Sequence, residues 1–408
     1  MSFNPFKEKG TPIEKQFLNW DKVNVQPYDK SSVHPYTRTR VILMNGIEVE
    51  AAIFGHQFAR STVDPQLKQK LAVSRRIEQQ QQKIVNWLVP GDESSLEVTI
   101  GYEQVAVDLT AWLARTEPDP NVKAALDFAL IEDFDHLYRY ANLLDLLENK
   151  DAADIVGDLT EVFPGRPTKM EHRHPIDSVR VPYSASRAHP LTKLHVATIT
   201  AAEQQTMNYY MNTGNRLEDP LARGLYLEIA QIEEQHVSHY ESLADPNMSW
   251  FDHLVLHEYN ECYMYYSCME SETDPRIKSI WEMCLHDEIE HLRIAAELQK
   301  QYEKVDPADQ YSSGFPELTI FQSNKDYVRK ILATQIGLTE SGTSLVPMEQ
   351  LPSESPYQRY QRAMNEGSMV PSEEVIEENI RVNGREYRIE SEGPHPVEWL
   401  RMPEEALR

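Results

Sequence analysis

The sequence predicts a mainly α-helical fold, and three observations carry that expectation. Apolar residues recur at helical spacing in long stretches between residues 61 and 304. Asp-Pro steps at Asp64-Pro65, Asp119-Pro120, Asp219-Pro220 and Asp274-Pro275 supply helix starts. Asp accepts from the free N–H groups of a first turn, and Pro at the first helical position gives up an N–H that has no partner there anyway. The third observation is one polar pattern written three times. It starts at Glu203, reaches Asp219-Pro220 sixteen residues later, and ends fourteen residues beyond that Asp on Glu233-x-x-His236. The same register runs from Glu258 through Asp274-Pro275 to Glu288-x-x-His291, and from Glu103 through Asp119-Pro120 to Asp133-x-x-His136.

The chain has 408 residues, enough for one large domain or two. Its formal charge of −25 argues against nucleic acid and anionic membranes as partners, because phosphates would meet nothing to neutralise them. The start, MSFNPFKEKG, lacks the basic and apolar regions of a signal peptide, and no apolar run approaches a membrane span. Cys262, Cys268 and Cys284 fall inside expected helices and form no Cys-x-x-Cys pair. A cytoplasmic protein with buried thiols is the expectation.

Taken in order, residues 1–60 read as an N-terminal arm with a β-hairpin, since Asn45-Gly46 sits between the β-prone segments of 39–51. A long helix follows from Asp64-Pro65 to about Val89, with Leu67, Leu71, Ile77, Ile84 and Leu88 near helical spacing. Pro90-Gly91 ends it. Three helical hairpins are expected over 96–148, 190–243 and 249–303, completing a helical body over 61–304. Between the first two lies a segment of roughly forty residues that reads as loop, and a loop of that length in a compact domain needs a role. Residues 305–408 read as an extended tail that wraps the body or a neighbour. Within it, one helix is expected near Lys325–Ile336 and a second β-hairpin over 379–390, at Asn383-Gly384.

The repeated carboxylates fall on apolar stripes. Glu233 and His236 share a face with Ile229, Ile232 and Tyr240, and Asp133 lies among Leu126, Leu130 and Leu137. Carboxylates on a core-facing stripe are costly unless ionised against something positive. No Lys or Arg recurs on these stripes, which leaves a metal cation as the natural partner. The triplet alone says little: [Asp/Glu]-x-x-His occurs five times against roughly two by chance in this composition, and Glu171/His174 and Glu392/His395 lie in expected loops. The fixed distances to Asp-Pro and to the remote Glu carry the weight.

A Glu on one helix and Glu-x-x-His on the next, supplied twice, resembles the ligand arrangement of ferritin-like di-iron carboxylate proteins, including rubrerythrin-like and other non-haem di-iron oxidoreductases. The resemblance covers about residues 96–303. It implies a four-helix bundle, here extended by a third hairpin, around two iron ions, with a mixed Fe/Mn pair or manganese as alternatives. In that family a long crossover joins the two ligand hairpins. Residues 149–190 can make it and the Asp245-Pro246 link cannot, so the first hairpin pairs with the second or the third. The choice falls on the second, giving Glu103, Asp133, His136, Glu203, Glu233 and His236 as metal ligands. Asp133 departs from the family's Glu, and Glu132 stands as its alternative.

Tyr140 and Tyr240, each four residues after its His, support that choice and are the candidate redox-active side chains. Glu258, Glu288 and His291 form a third half-site that either converges with the others or binds metal across a subunit interface. His253, His257 and His286 are candidate ring-orienting partners and Glu261 a candidate extra carboxylate, while Tyr209, Tyr210, Tyr265 and Tyr266 read as packing aromatics. The resemblance implies an enzyme activating O2 or peroxide, a separate electron donor, and a homo-oligomer such as a dimer. Two rival expectations are a ferroxidase or metal-storage protein and a non-catalytic helical scaffold.

Overall fold

The computed structural model describes residues 2–402. It is mainly helical, as expected. In chain order its α-helices are α1 (Trp20–Val23), α2 (Pro35–Ser61), α3 (Pro65–Asn86), α4 (Ser95–Thr116), α5 (Pro120–Glu148), α6 (Ala153–Val156) and α7 (Thr168–Glu171). They continue with α8 (Pro190–Thr213), α9 (Pro220–Glu241), α10 (Trp250–Ser271), α11 (Pro275–Glu303), α12 (Lys325–Gln335), α13 (Pro356–Asn365) and α14 (Pro371–Asn383). The only sheet among the described residues is an antiparallel pair, β1 (Leu338–Ser341) and β2 (Ser344–Pro347). Among the described residues, no helix is long and apolar enough to cross a membrane. Cys262, Cys268 and Cys284 are free and buried.

The four Asp-Pro steps act as the sequence suggests. Asp64, Asp119, Asp219 and Asp274 each cap a helix by accepting from the N–H groups two and three residues on, with Pro in the first turn. Each step therefore fixes where its helix begins, and with it the height of every side chain further along.

Two β-hairpin expectations are corrected. Residues 39–51 lie inside α2, which is buried almost all round from Tyr36 to Glu48. Tertiary burial against α3 and α10 overrides the β-propensity of Val41 and Ile42. At 379–390, Asn383 ends α14 and Gly384, at φ +77°, closes it with its N–H on the carbonyl of Ile380. The Asn-Gly pair there is a left-handed helix stop rather than a strand turn, and Ile389 makes only an isolated bridge to Val162. The tail beyond residue 402, part of the expectation for 305–408, lies outside the described residues.

The chain divides into two compact units. Unit 1 comprises Met1–Gly91, Tyr183–Ala202 and Ala244–Phe321, and unit 2 comprises Asp92–Pro182, Glu203–Leu243 and Gln322–Arg408. Unit 1 is built on the helical hairpins α2–α3 and α10–α11. Its N-terminal arm is docked rather than loose: Phe3 stacks on Tyr266 at 4.3 Å, and the Thr11 N–H donates to the His286 carbonyl at 2.8 Å. Unit 2 is built on α4–α5, α9 and the part of α8 from Glu203 onward. The segment 149–190, expected as loop, contains short helical turns, and α12 and α14 pack on α5.

Gly165 brings the segment after α6 directly onto α5. A Cβ there would lie 2.4 Å from the Ile131 carbonyl oxygen and 2.6 Å from the Asp135 nitrogen. The contact is secured by the Arg166 N–H on the Ile131 carbonyl (2.9 Å) and by Asp135, whose Oδ2 accepts from Thr168 N at 2.9 Å and Oγ1 at 2.6 Å. Because backbone cannot step aside, Gly165→Ala is expected to destabilise unit 2 by about 1–3 kcal/mol. Denaturant unfolding with an unchanged midpoint would count against this close approach.

Candidate metal centre

In unit 2 the structure brings together the six side chains that the first two hairpins offer. Glu103, His136 and Glu233 form one three-residue group, and Asp133, Glu203 and His236 form another. Within each group the potential ligand atoms lie within 4.8 Å of one another, and all six residues are buried. The two imidazoles face each other, with ring centroids 5.8 Å apart. Glu233 reaches both: its Oε1 is 3.1 Å from His136 Nδ1 and its Oε2 is 3.2 Å from His236 Nδ1. Asp133 rather than Glu132 faces the cluster, with Oδ1 3.2 Å from His236 Nδ1.

The outer nitrogens of the two rings are held alike. His136 Nε2 lies 2.8 Å from Glu171 Oε2, and His236 Nε2 lies 3.0 Å from Glu132 Oε2. A carboxylate on the far nitrogen fixes ring orientation and leaves Nδ1 aimed at the cluster. Glu171, which the sequence places in an expected loop, thus holds the His136 ring. It reaches α5 because α7 follows the close approach at Gly165. Two of the other carboxylates are steadied by hydroxyls: Tyr210 donates to Glu103 Oε1, and Thr110 Oγ1 donates to Asp133 Oδ2 at 3.2 Å.

Charge makes this arrangement informative. Burial would raise Glu132, but Arg173, His236 and Arg166 outweigh it and hold that carboxylate ionised. Glu340 on β1 sits low, at about 2, where Arg173, His239 and Arg180 overcome the cost of burial. These arginines are committed to outer carboxylates. Among the described residues, the ion pairs of Asp133, Glu203 and Glu233 are to His136 and His236. Burial pushes Glu103 and Glu203 well above the ordinary carboxylate range, and Glu233 and Asp133 respectively repel them further. Burial raises Asp133 to about 6.

Several polar atoms aimed into the cluster have no hydrogen-bond partner: Glu103 Oε2, Asp133 Oδ1, both oxygens of Glu203, Glu233 Oε2 and His236 Nδ1. Orphaned buried groups of this kind are costly. Four carboxylates match the charge of two divalent ions, and oxygen donors with imidazole suit iron or manganese. The residues present therefore fit the metal pair that the sequence resemblance implies.

Tyr140 and Tyr240 are fully buried beside the cluster. Tyr140 packs against Tyr226 at 4.9 Å and Tyr210 at 5.1 Å, and Tyr240 against the His236 ring at 6.5 Å. Burial raises both phenols well above their ordinary range. Tyr210, read from sequence as packing, is the tyrosine bonded to a cluster carboxylate. It also lines a half-open, largely apolar groove of about 490 Å³ with Met211, Tyr226, Leu227 and Ala230.

The third hairpin lies in unit 1 and faces α2–α3. Its Glu258 and His291 group with Glu78 of α3, and its Glu258 and Glu288 with Glu261. The His291 ring is oriented by Gln16 of the N-terminal arm, whose Oε1 is 2.8 Å from Nε2. The candidate orienting histidines do other things: His257 stacks on Phe54 at 4.5 Å, and His286 Nδ1 donates to the Glu282 carbonyl at 2.8 Å.

Replacing Glu171 by Gln is expected to weaken cation binding at the His136 position by about 10–100-fold, the usual cost of losing a ring-orienting carboxylate. Chelator competition with Co2+ measures it, and an unchanged affinity would remove Glu171 from the site. Comparison with protein-family models, with curated proteins and with solved structures finds no match to this chain.

Proposed function

We propose that unit 2 is a non-haem dinuclear metal oxidoreductase of ferritin-like, four-helix build, holding two iron ions, or iron with manganese, and activating O2 or peroxide. The observation that carries this reading is the pair of buried three-residue groups, Glu103–His136–Glu233 and Asp133–Glu203–His236, whose ion pairs among the described residues are to histidine and not to Lys or Arg. When bound, such a pair supplies electrons and open coordination positions for an oxidant.

The chain's own residues divide the remaining work. Glu233, within reach of both imidazoles, would help to hold both ions. His136 and His236 present Nδ1 inward because Glu171 and Glu132 hold their outer nitrogens. The Tyr210 hydroxyl donates to Glu103 and can pass a proton to it or take one back. The aromatic wall of Tyr140, Tyr210 and Tyr226 keeps bulk water from the His136 side. Tyr140 and Tyr240, buried beside the cluster, can relay an electron to it. The groove beside Tyr210 is a route by which a small molecule can approach.

Anaerobic loading with Fe2+ followed by an O2 pulse tests the reading. The catalyst proposed here turns over repeatedly with added reductant. Accumulation of ferric mineral would point to storage instead, and no stoichiometric metal would leave only a scaffold. The Glu233→Ala/His236→Ala chain is expected to lose the dinuclear signal, because a bridging ligand serves both ions. Undiminished metal in that variant would overturn the assignment.

A further inference from the structure

Unit 1 contains a fourth copy of the repeated pattern, in a degenerate form. Glu48 precedes Asp64-Pro65 by sixteen residues, and fourteen beyond Asp64 stands Glu78-x-x-Gln81, with Gln where the other copies have His. The structure places this copy on α2–α3 opposite the third hairpin, and the correspondence with unit 2 extends to single bonds. In unit 2 Tyr210, seven residues after Glu203, donates to Glu103; in unit 1 Tyr265, seven residues after Glu258, donates to Glu48. Glu233 meets both imidazoles. Its counterpart Glu288 accepts from Gln81 Nε2 at 2.6 Å and lies 2.9 Å from His291 Nδ1. The group Asp133–Glu203–His236 is matched by Glu78–Glu258–His291.

We infer that unit 1 holds a second divalent-metal centre, unequal in its two positions. The position at Glu78, Glu258 and His291 keeps three ligands. The other, among Glu48, Glu261, Glu288 and the Gln81 amide oxygen, has lost its imidazole and takes only a hard cation held by oxygen. Two observations carry this beyond a cluster of acids. Both oxygens of Glu261, Oε2 of Glu48, Oε2 of Glu258 and Oε1 of Gln81 lack hydrogen-bond partners, although these residues are at most 4% exposed. The five carboxylates meet little positive charge, with His291 in the cluster and Arg75 acting on Glu78 from its edge. A narrow pocket bordered by Phe54, Arg75 and His257 reaches Glu78, Glu258 and His291 and gives an ion a way in. An oxygen-rich set with one imidazole suits a hard divalent cation such as Mn2+.

The test uses the full chain with the unit 2 centre removed by Glu233→Ala/His236→Ala, and Mn2+ as the probe. Equilibrium dialysis and electron paramagnetic resonance are expected to show about one tightly held Mn2+ per chain, the oxygen-rich position binding more weakly. Adding His291→Gln, a substitution that keeps the buried volume, should abolish it, with helicity by circular dichroism as the folding control. Adding Gln81→His instead should tighten the second position at least about ten-fold, since a restored ligand is worth no less than an orienting partner. If the unit 2 variant binds no Mn2+, or if binding ignores both changes, the inference fails while the unit 2 reading stands. If the same variant keeps all of the wild-type metal, the unit 2 reading fails instead.

Discussion

An ionised carboxylate taken out of water costs several kcal/mol unless a positive charge meets it. Unit 2 buries the four clustered carboxylates Glu103, Asp133, Glu203 and Glu233, and unit 1 buries Glu48, Glu78, Glu258, Glu261 and Glu288 together. Elsewhere in the same interior the chain handles such groups conventionally. Glu132 and Glu340 receive Arg173, and Asp135 receives Arg139 together with the backbone of Gly165 and Thr168. The arginines stop at that outer layer. What stands inside it is a set of carboxylates and imidazoles whose charges and lone pairs point at one another, an arrangement that a divalent cation relieves and that a hydrogen-bond network leaves incomplete.

Outer and inner layers depend on each other through the imidazoles. Glu132 serves Arg173 and His236 at once, so the ion pair that stabilises the wall also sets the direction of a ligand. Glu171 does the same for His136 from a segment outside the ligand helices. In unit 1 the N-terminal arm takes this part through Gln16. The two units thus solve one orientation problem with different pieces of chain. This explains why the flanking segments are docked rather than free.

Much of this was legible in the sequence. The long helices begin where Asp-Pro says they begin, and counting from that capped start places Glu233 and Glu288 at the same height in their helices. Chain direction and the length of the 149–190 segment narrowed the first hairpin's partner to the second or the third, and the tyrosines four residues after His136 and His236 favoured the second. Other features were hidden for identifiable reasons. The fourth hairpin ends on Gln81 and so lacks the His that marks the other three, and Asn45-Gly46 within a Val- and Ile-rich run imitated a strand turn. Glu171 lay in a segment with no periodicity to betray its direction. Glu340 sits on a two-stranded hairpin around Gly342 within a stretch too polar to read as sheet.

By itself the sequence determined the helical register, because capping and the 3.6-residue period are local and act within a few residues of each Asp-Pro step. That was enough to name the six side chains that the structure gathers in unit 2 and to propose a cation among them. Only the tertiary structure decided which hairpins face each other in each unit. It also decided that residues 39–51 are helix, since burial on several sides outweighs local propensity. The partners that orient each imidazole are likewise tertiary: Gln16 is 275 residues from His291 and Glu132 is 104 residues from His236, separations at which no local pattern carries information.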